Sequence, residues 1–216
     1  MTVPLPELCL REVFGFLADD ENESNLSRKQ NIFSCILTNR YWCQTAVSFL
    51  WSDPFSINLR PEKAELLIDT YVANFSHKEL EILNISHFES YAPPTFDYVL
   101  FIRTLVVSGM IETTSRWLRR KAITAEECPI IDTLSRHILR RASNIKHIVS
   151  NSLLNLFSVS DATNFMNLTE LTGFGEGAPG IYASAAEVAK NIRILRFALT
   201  NNYSVTPTTV NDIASL

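Results

Sequence analysis

Three asparagines, Asn144, Asn167 and Asn191, each stand directly before an apolar residue that is followed three positions later by another: Ile145 and Ile148, Leu168 and Leu171, Ile192 and Leu195. The pairs start at 145, 168 and 192, spacings of 23 and 24 residues. A unit this short has room for one strand and one return leg and cannot bury its apolar face alone, so it must stack on its neighbours. A fourth pair, Ile102 and Leu105, begins 43 residues before the first of these, close to twice the period. The stretch between holds an amphipathic pattern at Ile131, Leu134 and Ile138, which predicts an enlarged helical leg. The second half of the chain is therefore expected to be an α/β solenoid of short parallel strands backed by helices. An ordinary α/β or mostly helical domain with coincidental spacing is the competing reading.

Residues 4–54 follow another pattern. Leu10, Val13, Phe14 and Leu17 mark one apolar helical face just after Leu5-Pro6, where proline can set the approach of the chain. The acidic stretch from Ala18 to Asn25 has no period and reads as a solvent loop. A second stripe at Ile32, Phe33, Ile36 and Leu37 ends near Asn39, a capping residue type, and a third runs through Trp42, Ala46, Phe49 and Leu50 to a stop at Asp53-Pro54. Three short helices over about 50 residues bury little surface. This set nevertheless contains Phe14, Phe33, Trp42, Phe49 and Trp51, so part of its apolar surface is expected to meet a partner. Beyond Pro54, Phe55 to Leu59 alternates like a strand, and Pro61 precedes a helical face at Ala64, Leu67, Ile68 and Tyr71. The expected organisation is a three-helix unit over 1–54, a linking α/β segment over 55–100 and the repeats over 101–216.

Composition removes several classes of function. The 19 basic and 23 acidic residues give a net charge of −4, which provides no field for a nucleic-acid backbone or an anionic membrane surface. Residues 1–7 lack a basic segment followed by an apolar run, and the apolar stretch from Tyr98 to Ile111 is broken by Arg103, Ser108 and Gly109. Neither a secretory signal nor a membrane span is expected, and the protein is read as soluble and intracellular. Cys9, Cys35, Cys43 and Cys128 form no Cys-x-x-Cys pair and are expected to be free, mostly buried thiols. The Asn-x-Ser/Thr sites at Asn74, Asn84, Asn167 and Asn202 then have no meaning for glycosylation.

Leu5-Pro6 followed by Val13-Phe14 and Leu17, then Asn39-Arg40-Tyr41-Trp42-Cys43, then Leu50-Trp51, are three ordered blocks that resemble an F-box. The combination of Asn-Arg-x-Trp-Cys with Phe49-Leu-Trp-x-x-Pro-Phe55 is similar to an expanded group of fungal F-box proteins with irregular leucine-rich repeats. The spacing of 23 and 24 lies within the roughly 20–29 residues of such repeats. The sequence departs from the family in placing Glu7 directly after the proline with Leu8 next, and in a long loop from Asp19 to Lys29. The resemblance implies the substrate-receptor subunit of a Skp-cullin-F-box ubiquitin ligase. Its F-box would dock on a Skp-family adaptor, and through it on a cullin, while the repeats hold an unidentified protein substrate. The adaptor contacts it implies are Leu5, Pro6, Leu8, Val13, Phe14, Leu17, Ile32, Ile36, Leu37 and Trp51. A leucine-rich-repeat scaffold with no ligase link is the alternative.

No catalytic constellation stands out. The glycines at 173, 175, 177 and 180 match neither phosphate-loop spacing, and read as a turn between repeats. His77, His87, His137 and His147 are scattered, so no metal or cofactor is expected and the chain is read as a non-enzyme. Arg119-Arg120-Lys121 and Arg140-Arg141 read as solvated helix ends. The segment from Thr208 to Leu216 reads as the start of a further helical leg without a polar cap, as in a truncated family member.

Overall fold

A computed structural model describes residues 5–20, 23–56, 61–83, 85, 94–121, 127–150, 165–174, 185, 189–198 and 208–209. Three helices open the chain: α1 (Glu7–Ala18), α2 (Asn25–Ile36) and α3 (Arg40–Leu50). Their limits are set locally. Pro6 fixes the extended approach to α1, and Leu10 N–H donates to its carbonyl at 3.1 Å. Ser24 caps α2 by accepting from Ser27 N–H at 3.2 Å, and Asn39 caps α3 by accepting from Trp42 N–H at 2.9 Å. The loop before α2 is thus shorter than the sequence implied, because Ser24 starts the helix five residues ahead of Lys29.

Next come α4 (Pro61–Val72) and α5 (His77–Ile82), the latter closed by a reciprocal Ser76 and Glu79 capping box. Phe55 and Ser56 lie in a turn rather than the expected strand, and residues 57–60 lie outside the described set. A 3-10 turn at Tyr98–Phe101 leads into β1 (Thr104–Val106), α6 (Val107–Arg120), α7 (Glu127–Arg141), β2 (His147–Ser150), β3 (Glu170–Phe174) and β4 (Ile194–Ala198). The interval between the first two apolar pairs therefore holds two helices, and Ile131, Leu134 and Ile138 form the buried stripe of the second.

The first four strands are parallel, and each pairs with the next in sequence. Leu105, Ile148, Leu171 and Leu195 occupy one register column, the second members of the four apolar pairs. The first three are fully buried in the main core with Met110, Trp117, Leu134 and Ile138. Just before the strands the backbone makes a repeated step. Arg103 O accepts from Lys146 and His147 N–H, Lys146 O from Thr169 and Glu170 N–H, and Thr169 O from Arg193 and Ile194 N–H, all at 2.8–3.1 Å. The asparagines add a side-chain ladder on the same steps. Asn144 donates to Leu100 O at 3.1 Å, Asn167 to Ser143 O at 2.7 Å and Asn191 to Met166 O at 2.6 Å.

Thr208–Thr209 forms β5, antiparallel to β4, so this part of the final segment is extended and not helical. Pro207 and the β-branched pair favour that conformation. The fold is mixed α/β, and no helix among the described residues is long and apolar enough to cross a membrane.

The basic helix ends are not simply solvated. Lys121 pairs with Glu65 at 2.8 Å and Asp69 at 3.0 Å, Arg120 pairs with Glu65, and Arg141 pairs with Asp97 at 2.6 Å. Asp69 also accepts from the buried Trp117 indole N–H at 2.7 Å, which fastens α6 to α4. Hydrogen bonding to Lys121 and the two neighbouring cations hold the Glu65 carboxyl below its ordinary range.

Candidate docking surface

The three-helix unit has a small core of its own: Leu10, Phe14, Ile32 and Ala46, with Leu17, Ile36, Trp42 and Phe49 packed around it. Phe14 meets the edges of Trp42 and Phe49 at centroid distances of 5.4 and 6.2 Å. The residues singled out from the sequence divide by position. Phe14 and Ile32 are buried, Leu17 and Ile36 are half-buried in the same core, and Leu5, Pro6, Leu8, Val13 and Leu37 are exposed. The half-buried Trp51 faces the main body, its ring 4.0 Å from that of Tyr98 and 5.9 Å from that of Tyr71. Trp51 is therefore not brought together with Leu5 and Leu8 on the free surface.

Phe16 and Leu26 are among the exposed apolar residues that sequence reasoning did not select, at 78% and 58% exposure, and Phe33, expected within an inward stripe, is half-exposed as well. Helical geometry arranges the outward groups in two stripes. On α1, Cys9, Val13 and Phe16 follow i, i+4, i+7, and on α2, Leu26, Phe33 and Leu37 follow i, i+7, i+11. Both run beside the buried stripe, so the helices are apolar on more than the face they bury. Angular position around α2 was the signal available in the sequence. Tyr41 Oη donates to Leu5 O at 3.1 Å and ties the segment ahead of α1 to α3. Of the ten large apolar residues with substantial exposure among the described residues, seven lie between Leu5 and Leu37, so the exposed apolar surface concentrates on this unit. Isolated exposed apolar residues are ordinary, whereas a concentration marks an interaction surface.

On the body, alternation along the strands turns Thr104, Val106, His147, Val149, Glu170, Thr172 and Arg196 away from the face that carries Leu105, Ile148 and Leu171. His147 Nε2 lies 3.0 Å from Thr172 Oγ1 and 3.3 Å from Glu170 Oε1, and Glu170 also pairs with Arg196. Burial lowers the His147 pKa to about 4, and the nearby Arg196 charge acts in the same direction. Desolvation, against the opposing pull of Glu79 at 3.5 Å, also lowers that of the buried His137. Both imidazoles are neutral at physiological pH.

Cys9, Cys35 and Cys43 are free; Cys9 is exposed rather than buried, and the side chain of Cys128 lies outside the described residues. Burial raises the Cys35 thiol pKa. Gly173 belongs to β3, and the rest of the glycine-rich run lies outside the described residues. Among the described residues, no three potential metal ligands come together. No family model matches the chain, and neither a curated protein nor a solved structure does.

Proposed function

We propose that this chain is the substrate-receptor subunit of a Skp-cullin-F-box ubiquitin ligase. The observation that carries the proposal is the concentration of exposed apolar side chains on α1, α2 and the segment before them, a unit whose own core is already filled by Leu10, Phe14, Ile32 and Ala46. Of the three sequence blocks that resemble an F-box, the first falls on α1 and the segment before it, and the other two mark the start and the end of α3. Leu5, Leu8, Phe16, Leu26, Phe33 and Leu37 would supply the contact with a Skp-family adaptor, while Phe14 and Ile32 hold the surface in shape from within. The body reads as an irregular leucine-rich-repeat solenoid, supported by the strand order, the 23 and 24 residue spacing and the asparagine ladder. The sheet face opposite Leu105, Ile148 and Leu171, whose side chains are mostly half-buried, would hold the substrate protein. Such a subunit makes and breaks no bond. It raises the effective concentration of substrate near the activated ubiquitin, in the cytoplasm or nucleus.

Co-purification with a Skp-family adaptor and a cullin tests this reading. Phe33→Asp with Leu37→Asp is expected to weaken adaptor capture by about 2 kcal/mol or more while leaving the melting temperature nearly unchanged. Leu66→Asp, an exposed site on α4, should have no effect on capture. Capture that survives the double variant overturns the assigned surface, and failure to capture any Skp-family adaptor overturns the function.

A further inference from the structure

The three-helix unit joins the sheet through one more backbone step of the kind seen between the strands: Ser52 O accepts from Arg103 and Thr104 N–H at 2.8 and 2.9 Å. Beside this step lies a cavity of about 300 Å³ between α2, the end of α3 and the turns ahead of β1 and β2. That volume is at the lower end of small-ligand sites, roughly 300–1,000 Å³. Its walls carry Arg28, Lys29, Arg103 and Lys146 against Asp19 and Asp53. Four cations and two carboxylates leave a net charge of +2 in a protein whose total is −4.

Among the described residues, only one of these cations is neutralised by a carboxylate. Lys29 Nζ lies 2.7 Å from Asp53 Oδ1 and donates to Asp53 O at 2.9 Å. Among the described residues, Arg28, Arg103 and Lys146 have no acidic partner. Arg28 Nη1 donates to Ala18 O at 3.2 Å, and its Nε is buried without an acceptor, a costly state for a donor on a charged group. The Arg103 guanidinium lies over the Phe49 ring, 5.4 Å from the centroid, which fixes its position and spends none of its N–H donors. The backbone step sets Lys146 one strand over, its N–H donating to Arg103 O at 2.8 Å. Asn25, the first residue of α2, also lines the cavity, so the positive end of that helix adds to the field. A seam built only to join two parts of a fold would match these cations with carboxylates. This one leaves three lining a partly open cavity, Arg28 and Arg103 half-buried and Lys146 exposed at its rim.

We propose that the seam cavity binds a phosphomonoester dianion, held by guanidinium hydrogen bonds from Arg28 and Arg103 and by the ammonium of Lys146. The ligand matches in charge, about −1.5 to −2 near neutral pH, and in its three acceptor oxygens. Asp19, Phe49 and Arg103 are shared with a second, wider cavity of about 700 Å³. The two cavities adjoin at these residues, so a phosphorylated side chain in the seam would have its peptide lie toward the wider cavity. The seam cavity itself uses none of the exposed stripe on α1 and α2, so binding of free phosphate does not depend on adaptor docking, whereas Phe16 of that stripe lines the second cavity.

Isothermal titration of the full chain at constant ionic strength tests the proposal with three probes: inorganic phosphate, a phosphoserine peptide and nitrate as a singly charged control. Saturable phosphate binding that nitrate does not reproduce is expected; binding of the phosphoserine peptide should weaken as pH falls below about 6 because its dianion is protonated, and that of inorganic phosphate at a higher pH, since its dianion is the more basic. The exposed Lys146 can be changed without disturbing the core, and Lys146→Gln should weaken binding about tenfold, the effect of one lost charge-assisted hydrogen bond. Arg103→Lys keeps the charge and loses the fork, and should also weaken it. A phosphoserine peptide that binds at least tenfold tighter than phosphate identifies a modified side chain as the ligand, whereas equal affinity identifies the free anion. Absence of saturable binding by either phosphate probe overturns the proposal, as does affinity unchanged in Lys146→Gln and Arg103→Lys.

Discussion

Gly15 in α1 and Gly109 in α6 both lie inside helices, so replacing each with alanine separates helix propensity from tertiary packing. Alanine is better than glycine inside a helix by about 1 kcal/mol. At Gly15 the added methyl would meet the Phe49 ring, with Cε1 at 3.7 Å, an ordinary van der Waals contact. Gly15→Ala should therefore stabilise the protein by about 0.5–1 kcal/mol, or roughly 1–4 °C in Tm for a chain of this size. At Gly109 the methyl would fall 2.0 Å from Phe55 O and 3.1 Å from its carbonyl carbon. Carbon to oxygen contacts settle near ~3.3 Å, so α6 and the turn at Phe55 would have to separate by more than ~1 Å. Phe55 is itself buried and stacked on Tyr71 with ring centroids 5.7 Å apart, so that retreat opens the main core. Overpacking typically costs about 1–3 kcal/mol, more when backbone must move, and a net loss of about 2 kcal/mol remains after the propensity gain. Urea denaturation followed by tryptophan fluorescence reads both variants, with an unchanged m-value showing that the unfolded state is the same. If Gly109→Ala stabilises as Gly15→Ala does, α6 does not pass this close to Phe55 and the reasoning fails.

Asp69→Ala removes the acceptor for the buried Trp117 indole and a partner of Lys121, and is expected to cost about 2–4 kcal/mol in urea denaturation; a loss below about 1 kcal/mol would show that α4 and α6 are held by apolar contact alone. Asn167→Ala breaks one exposed rung of the asparagine ladder and should cost about 0.5–1.5 kcal/mol, whereas a stabilised variant would mean that the rung is not formed in solution. The pH dependence follows from His147, whose folded pKa of about 4 lies below its ordinary 6.5. The unfolded chain then binds a proton that the folded chain refuses, so stability is complete above pH 6.5 and falls as pH drops toward 4, by on the order of 3 kcal/mol at most. The lowered His137 adds to the loss in the same direction. Between pH 6.5 and 5, His147→Gln should flatten the slope of stability against pH, and an unaltered slope would remove His147 as its source.

Much of this fold is written locally. The four parallel strands centre on Leu105, Ile148, Leu171 and Leu195, the second residues of the spaced apolar pairs, because each short unit can hide its apolar side only by stacking in register on the last. Asn39 and the Leu5-Pro6 segment likewise mark helix starts through bonds made within a few residues. The outward surface of the first three helices was less legible. Leu26, Ile32, Phe33, Ile36 and Leu37 leave α2 apolar around much of its circumference, and only packing against Leu10, Phe14 and Ala46 turns Ile32 inward and Leu26, Phe33 and Leu37 outward. Trp51 sits in a motif block with its neighbours but is claimed by Tyr71 and Tyr98, partners that come close only when the body folds. The cations of the seam show the same division most fully. Arg28, Arg103 and Lys146 belong to no motif and are far apart in sequence, and they converge because the strand register sets Lys146 beside Arg103 and the step at Ser52 brings α2 against both. The sequence by itself determined the spacing and register of the apolar pairs and the starts of α1 and α3, since these depend on periodicity and short-range hydrogen bonds. Only the tertiary structure decided which apolar groups remain in solvent and which charges share a cavity, because those outcomes depend on contacts between segments that no local pattern records.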